Sequence, residues 1–401
     1  MKLRIKILHL NYISIISIIF ILLQTCGIRF FQGIGSFLMI LVILLNFKYL
    51  KRITMNSFVY YVISIFIFSV LQIIKDCSLL STLNTILIIT ASYTFLLSYV
   101  DNSNRFIDEL RLALKLLVFQ AFVTIFAFFS LYYFKHLVQI GEMQYYTILN
   151  VFYYFIPNDG FPRNTGLFWE PGCLQFIANT LLFIYISSNY KLRKMLWVIA
   201  VIISTFSSAG FILLLINCLY YLIKNTNKLK IKYNIGLFII LSILIFPLIY
   251  EATYNKWTVN MSGMIRQVNT IAGVKLSFMH PFIGVDVNNL MNSLEFNKIE
   301  EDFWGINSSM ISYNFGIVAG GFTNGFLAIF LTWGLFIGIF FYYLFFKSKF
   351  FPTSQYALFF LLLFIVANMT EALTNTSFFY VFVISTFVLG RRVTNKKIQN
   401  I

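Results

Sequence analysis

Apolar runs of roughly 18 or more residues recur along the chain, broken by short polar connections. Runs of that length suit helices crossing a hydrocarbon layer about 30 Å thick. Candidate spans fall at roughly 10–28, 31–47, 55–74, 79–99, 111–134, 171–189, 195–208, 209–223, 233–250, 321–346, 355–369 and 376–390. Basic residues gather in alternate connections, "KYLKR", "DNSNRFIDELR", "KLRK", "KNTNKLKIK", "KSK" and "RRVTNKK". The positive-inside rule assigns these connections, and both termini, to the cytoplasm. About 22 Lys and Arg then lie inside and about 8 outside, against about 3 and about 11 Asp and Glu.

Residues 195–223 have basic clusters at both ends, so a single helix would leave one cluster on the wrong side. A hairpin turning at "STFSSAG" (Ser204 to Gly210) restores the alternation. Two arms of about 14 residues reach only about 21 Å, which sets the tip below the outer surface, facing protein or a watery cavity. The same parity makes 355–390 a second hairpin around "MTEALTN". The expected fold is an all-α polytopic membrane protein with about twelve transmembrane helices, one integral membrane domain over residues 1–401. Two long extracytoplasmic loops, 135–170 and 251–320, interrupt it. Long ordered loops are usually functional or disordered. These are rich in Tyr, Phe and Trp, which favours function.

Composition agrees. Hydrophobic residues make up 59% of the chain, charged residues 11% and aromatics 19%, far from a soluble domain's charge content. The net charge of +16 sits in short clusters between apolar runs, so it reads as topology and not as a nucleic-acid surface. The first apolar stretch follows a basic start but is too long for a signal-peptide core, and it is taken as the first span. Cys26, Cys77, Cys173 and Cys218 show no metal-ligand spacing and read as small buried thiols.

Chemistry concentrates in "FPRNTGLFWEPG", residues 161 to 172. Pro171 suits the first position of the sixth span and Glu170 its N-cap, favoured by the helix dipole. Arg163 has two readings: a partner for Glu170 or lipid headgroups, or a guanidinium fork that clamps a phosphate. Beside Phe168 and Trp169, Glu170 suits a general acid or base. In the second loop, Ile265, Val268, Ala272, Leu276 and Met279 recur at helical spacing, which predicts an amphipathic interfacial helix from 262 to 279. Arg266 and Lys275 lie off that stripe. His280 and Asp286 follow in "HPFIGVD"; His280 is either a polar surface residue or a base. "EFNKIEEDFWG" reads either as a cation- or sugar-binding acidic run or as a solvated loop, with the loop favoured. No nucleotide-phosphate loop, dinucleotide fingerprint or metal constellation is present, so no cofactor and no metal are expected.

"RNTGLFWEPGCLQFIANTLL" resembles the R-x-x-G-x-F-x-E-P pattern of Wzy-type O-antigen and capsular polysaccharide polymerases. "STFSSAGFILLLINCLYYLI" resembles the family's Ser-rich hairpin, "HPFIGVDVNN" its late-loop turn, and "FTNGFLAIFLTWGLFIGIFFYYLFF" its returning span, in the same order. The related ligases carry a histidine just before that span, where this chain reads Phe322, Thr323 and Asn324. The resemblance implies a bacterial cytoplasmic-membrane glycosyltransferase that joins undecaprenyl-diphosphate-linked oligosaccharide repeats at the outer face, for O-antigen or capsule. It further implies partners: the lipid-linked oligosaccharide, membrane lipids, a chain-length regulator as a candidate, and no nucleic acid. Arg163 and Arg266 would neutralise the departing diphosphate, and Glu170 or His280 would take the acceptor's proton. Trp169, Asp286, Ser207, Ser208 and Asn324 would complete the substrate-binding set. The rivals are a ligase-type transferase and a lipid-linked-repeat flippase. Convergence of Arg163, Glu170 and Arg266 would favour the enzyme, and scatter would weaken it.

Overall fold

The computed structural model describes residues 11–27, 33–131, 134–140, 143–148, 155–156, 162–168, 170–225, 246, 250, 261–287, 290, 293–304, 322 and 324–389. The helices are α1 (Tyr12–Cys26), α2 (Ile34–Asn46), α3 (Met55–Ile74), α4 (Leu79–Leu97), α5 (Arg105–Ser130), α6 (Pro171–Ser187), α7 (Leu196–Ser204) and α8 (Ser208–Asn225). After these come α9 (Met261–Met279), α10 (Leu294–Trp304), α11 (Gly325–Trp333), α12 (Leu335–Phe346), α13 (Ser354–Asn368) and α14 (Ser377–Val388). Among the described residues, four stretches, Ile34–Arg52, α3, α4 and α5, are long and apolar enough to cross a membrane, and six further apolar helices are shorter. Most of the expected span 233–250 and both chain ends lie outside the described residues.

Polar N-caps start several of these helices, and a glycine ends α1 and α11. Asn11 accepts the Ile13 N–H at the start of α1, and Thr54 and Ser57 form a reciprocal capping box at the start of α3. One end of the bundle carries Arg52, Arg105, Lys191 and Lys347 and is called the basic end; the opposite end carries the long connections and is called the loop end. At the basic end, α12, α13 and α14 meet through phenylalanines. Phe345 lies 4.8 Å from both Phe364 and Phe382, ring centre to ring centre. The buried carboxylate of Glu109 ties α1 to α5 there, accepting hydrogen bonds from the Asn11 N–H (3.1 Å) and the Tyr99 hydroxyl (2.5 Å).

The hairpin expected around 204–210 is present, with unequal arms: α7 has 9 residues and α8 has 18. The returning span expected as one helix over 321–346 is instead two helices. Gly334, with φ +82°, reverses the chain, and α11 folds back on α12. Tyr342 donates from its hydroxyl to the Phe326 carbonyl at 3.3 Å, and Phe330 packs on Gly338. A β-carbon at Gly334 would come within 2.7 Å of backbone atoms of Pro281 and Phe282, so only glycine lets the two segments meet.

The first long connection adds a feature outside the all-α expectation, a four-stranded antiparallel sheet in the order β1-β2-β3-β4. Its strands are β1 (Lys135–Ile140), β2 (Met143–Ile148), β3 (Phe155–Ile156) and β4 (Arg163–Asn164). The second connection holds α9 where an interfacial helix was expected. Val268, Ala272 and Leu276 of its apolar stripe are buried, and Gly273 packs on Leu327 and Phe322 beside α11. The acidic run read as a solvated loop is the helix α10.

Candidate functional site

The site starts from β4. Pairing of Ile156 with Arg163 and of Phe155 with Asn164 holds β4 in place, and both of its side chains hydrogen-bond into the tip of the short hairpin. Asn164, fully buried, donates to the Ala121 carbonyl and to Ser204 Oγ, both at 3.1 Å, and accepts the Gly166 N–H at 2.9 Å. Gly166 turns with φ +57° against Ala121, where a β-carbon would meet the Ala121 methyl at 3.2 Å. Ala121 lies nine residues before the end of α5, so β4 reaches about 14 Å below the loop end of that helix. The candidate site is therefore recessed into the bundle.

Arg163 reaches the tip of the short hairpin, where its Nε donates to the Thr205 carbonyl at 3.2 Å. Burial pulls its guanidinium pKa below the usual arginine range, and nearby Arg266 adds to that pull; Glu170 and Glu371 oppose it. An arginine starting so far above neutral stays charged. Thr205 is two and three residues before Ser207 and Ser208 in the same hairpin tip, and Ser207 is buried.

Glu170 occupies the N-cap of α6, with Pro171 at the first helical position. Its side chain makes no capping hydrogen bond; instead its Oε2 lies 3.9 Å from Arg266 Nη2. The capping account of the Glu-Pro pair therefore holds for the backbone and not for the carboxylate. Arg266, which lies off the apolar stripe of α9, is nevertheless turned inward with a side chain only 19% exposed. Its Nε is buried and has no hydrogen-bond partner among the described residues. One turn further along α9, Thr270 Oγ1 accepts from Asn324 Nδ2 at 3.2 Å. Asn324 also caps α11 by accepting the Leu327 N–H at 3.1 Å.

A residue that sequence reasoning passed over completes the group. Glu371, in the turn between α13 and α14, lies against the first turn of α6, with Oε2 at 4.0 Å from Cys173 Sγ. A β-carbon at Gly172 would overlap its carboxylate. The available signal was that "MTEALTN" holds the single acidic residue of the last two apolar runs. Two arginines and two glutamates thus converge from β4, the start of α6, α9 and the α13–α14 turn, and their formal charges balance.

The remaining candidates lie elsewhere or are not described. His280 is fourteen residues beyond Arg266 along and just past α9, about 21 Å away at helical rise. There His280 Nε2 meets Glu295 Oε2 at 2.8 Å. The structure thus separates His280 from the arginines it was expected to serve. Asp286 is placed with Cys77 and Lys75 at the end of α3, where its charge and a hydrogen bond help raise the Cys77 thiol pKa to about 11, behind burial as the larger cause. Trp169 lies outside the described residues.

No family model matches the chain, and neither the curated proteins nor the solved structures yield a match.

Proposed function

We propose that the chain is a polysaccharide polymerase of the Wzy type, joining oligosaccharide repeats carried on a lipid diphosphate at the outer face of a bacterial cytoplasmic membrane. The proposal includes the twelve-crossing layout with both termini cytoplasmic. The observation that carries it is the convergence of Arg163, Arg266, Glu170 and Glu371 in one recess, from segments up to 208 residues apart in sequence. Convergence of Arg163, Glu170 and Arg266 is the arrangement that favours the enzyme, and scatter would have weakened it.

In the proposed reaction a hydroxyl of the acceptor sugar attacks the anomeric carbon of the donor glycan. The new glycosidic C–O bond forms as the bond to the lipid diphosphate breaks, and the diphosphate leaves with the bonding pair. Arg163 has its Nε committed to Thr205, which leaves its terminal nitrogens for an anion, and Arg266 offers a buried Nε. Both are aimed at charge that develops on the leaving group, the arrangement that stabilises a transition state most effectively. Glu170 or Glu371 takes the proton of the attacking hydroxyl. The pair Arg266–Glu170 is loose at 3.9 Å, so an incoming diphosphate competes for the guanidinium and releases the carboxylate for that task.

The test is reconstitution of purified protein with its lipid-linked repeat, read as a ladder of longer glycans. Arg163→Ala is expected to lower ladder formation by about 100-fold or more. A variant that polymerises at the wild-type rate removes Arg163 from the mechanism.

A further inference from the structure

A second polar site lies at the opposite end of the bundle. A cavity of about 410 Å³ opens between α5, α6 and the start of α7, lined by Asp108, Arg111, Lys115, Tyr190, Lys194 and Trp197 among others. Asp108, Arg111 and Lys115 share one face of α5 by their spacing of three, four and seven residues. Arg111 and Lys194 both lie over the Tyr190 ring, at 5.4 Å and 5.1 Å from its centre. Tyr185 stacks on Tyr190 at 4.7 Å and steadies it. Asp108 answers one of the three cations, pairing with Arg111 at 2.9 Å. Among the described residues no carboxylate lies within ion-pair distance of Lys115 or Lys194. The pocket therefore gathers a formal charge of +2 around one aromatic ring, and that arrangement calls for an anion.

The surroundings choose the anion's source. Trp197 closes one wall and meets Phe119 and Phe122 edge-on, at 6.4 Å and 5.8 Å. Beyond it Leu116, Phe119 and Phe126 on α5 and Leu196 on α7 are exposed, which extends the polar pocket into an apolar face. A charged head joined to an apolar tail matches both parts, and Trp at such a junction is the usual anchor at a membrane–water boundary. The charge count assigns this end to the cytoplasm, where acidic lipids attract juxtamembrane cations.

We infer that this pocket binds the phosphodiester headgroup of an acidic phospholipid, with an acyl chain lying along the exposed face of α5 and α7. The inference is independent of the polymerase reading. Lys191 and Arg193, in the same connection, are exposed like Lys194 but outside the pocket, which supplies a matched control.

The full chain is exchanged into mixed micelles holding phosphatidylglycerol and phosphatidylcholine, and retained lipid is counted by native mass spectrometry. Wild type is expected to retain phosphatidylglycerol selectively. Lys194→Gln, on an exposed backbone position that leaves packing intact, is expected to weaken retention roughly fivefold, and Arg111→Ala with Lys194→Gln roughly 30-fold. Lys191→Gln with Arg193→Gln removes the same charge and is expected to leave retention unchanged. Equal losses in the two double variants, or no lipid selectivity in wild type, would overturn the inference. So would displacement of the lipid by equimolar inorganic phosphate, since the occupant would then be a soluble anion.

Discussion

Gly172→Ala isolates the geometry of the recess without touching any charge. A β-carbon at 172 would overlap the Glu371 carboxylate and lie 2.9 Å from its Cγ. Non-bonded carbon contacts settle near about 3.5 Å, so the carboxylate must withdraw by more than about 1 Å. The obstacle is the far end of a flexible side chain, which turns aside at small cost. Replacing glycine by alanine within a helix gains up to about 1 kcal/mol, so the thermal midpoint is expected to hold or rise slightly. Catalysis responds differently, because a misplacement of about 1 Å in a reacting group can cost about 100-fold. The assay is initial ladder formation on the lipid-linked repeat, with thermal unfolding measured in the same detergent. A second substitution sharpens it. Glu371→Asp shortens the side chain by about 1.5 Å and alone should lower the rate, yet in the Gly172→Ala background it should raise the rate by relieving the overlap. That reversal of sign is a coupling that two independent sites do not show. A Gly172→Ala enzyme at full rate, or a Glu371→Asp loss identical in both backgrounds, refutes the role given to this carboxylate.

Three further outcomes are expected. Asn164→Ala strips two donated hydrogen bonds and one accepted bond from a fully buried position, so it should cost on the order of 1–3 kcal/mol and loosen Arg163; a thermal midpoint and ladder rate both at wild-type level would contradict this. His280→Ala, about 21 Å along α9 from Arg266, should leave the rate within about twofold; a collapse of the rate with the fold intact would return His280 to the reaction. Gly334→Ala forces a side chain into a φ of +82° against backbone, whereas Gly33, at φ +86°, has nothing within 4 Å. Gly334→Ala should therefore lower the thermal midpoint clearly more than Gly33→Ala, the strain itself being about 1–3 kcal/mol.

Legibility followed the range of the interaction that decides each feature. Helices such as α3 and α5 were readable because an apolar run of sufficient length has few other outcomes in lipid. The short hairpin at 204–210 was readable because basic clusters at both ends left one topology. Pro171 announced the start of α6 through its missing N–H. The sheet in the first long connection was missed although "KHLVQI" and "MQYYTI" carry strand-forming residues, because short strands are poorly marked beside so many apolar helices.

The two larger misses share a cause. Composition is continuous across "LTWGLFIG", so nothing local ends the helix at Gly334. The reversal depends on a close approach by Pro281 and Phe282, and on Gly284 fitting against the Leu331 carbonyl. Glu371 likewise depends on a space 199 residues away, opened by the lack of a side chain at Gly172. In both cases the informative residue is a glycine whose meaning lies in what its missing β-carbon admits, and that is a property of the partner surface. The arginine of "RNTGLFWEPG" differs. Its charge in an apolar chain already demanded a partner, and the recess supplies two carboxylates and a second arginine. The second guanidinium nearby, whose buried Nε has no acceptor among the described residues, is the feature that stability alone does not require and that anion chemistry does.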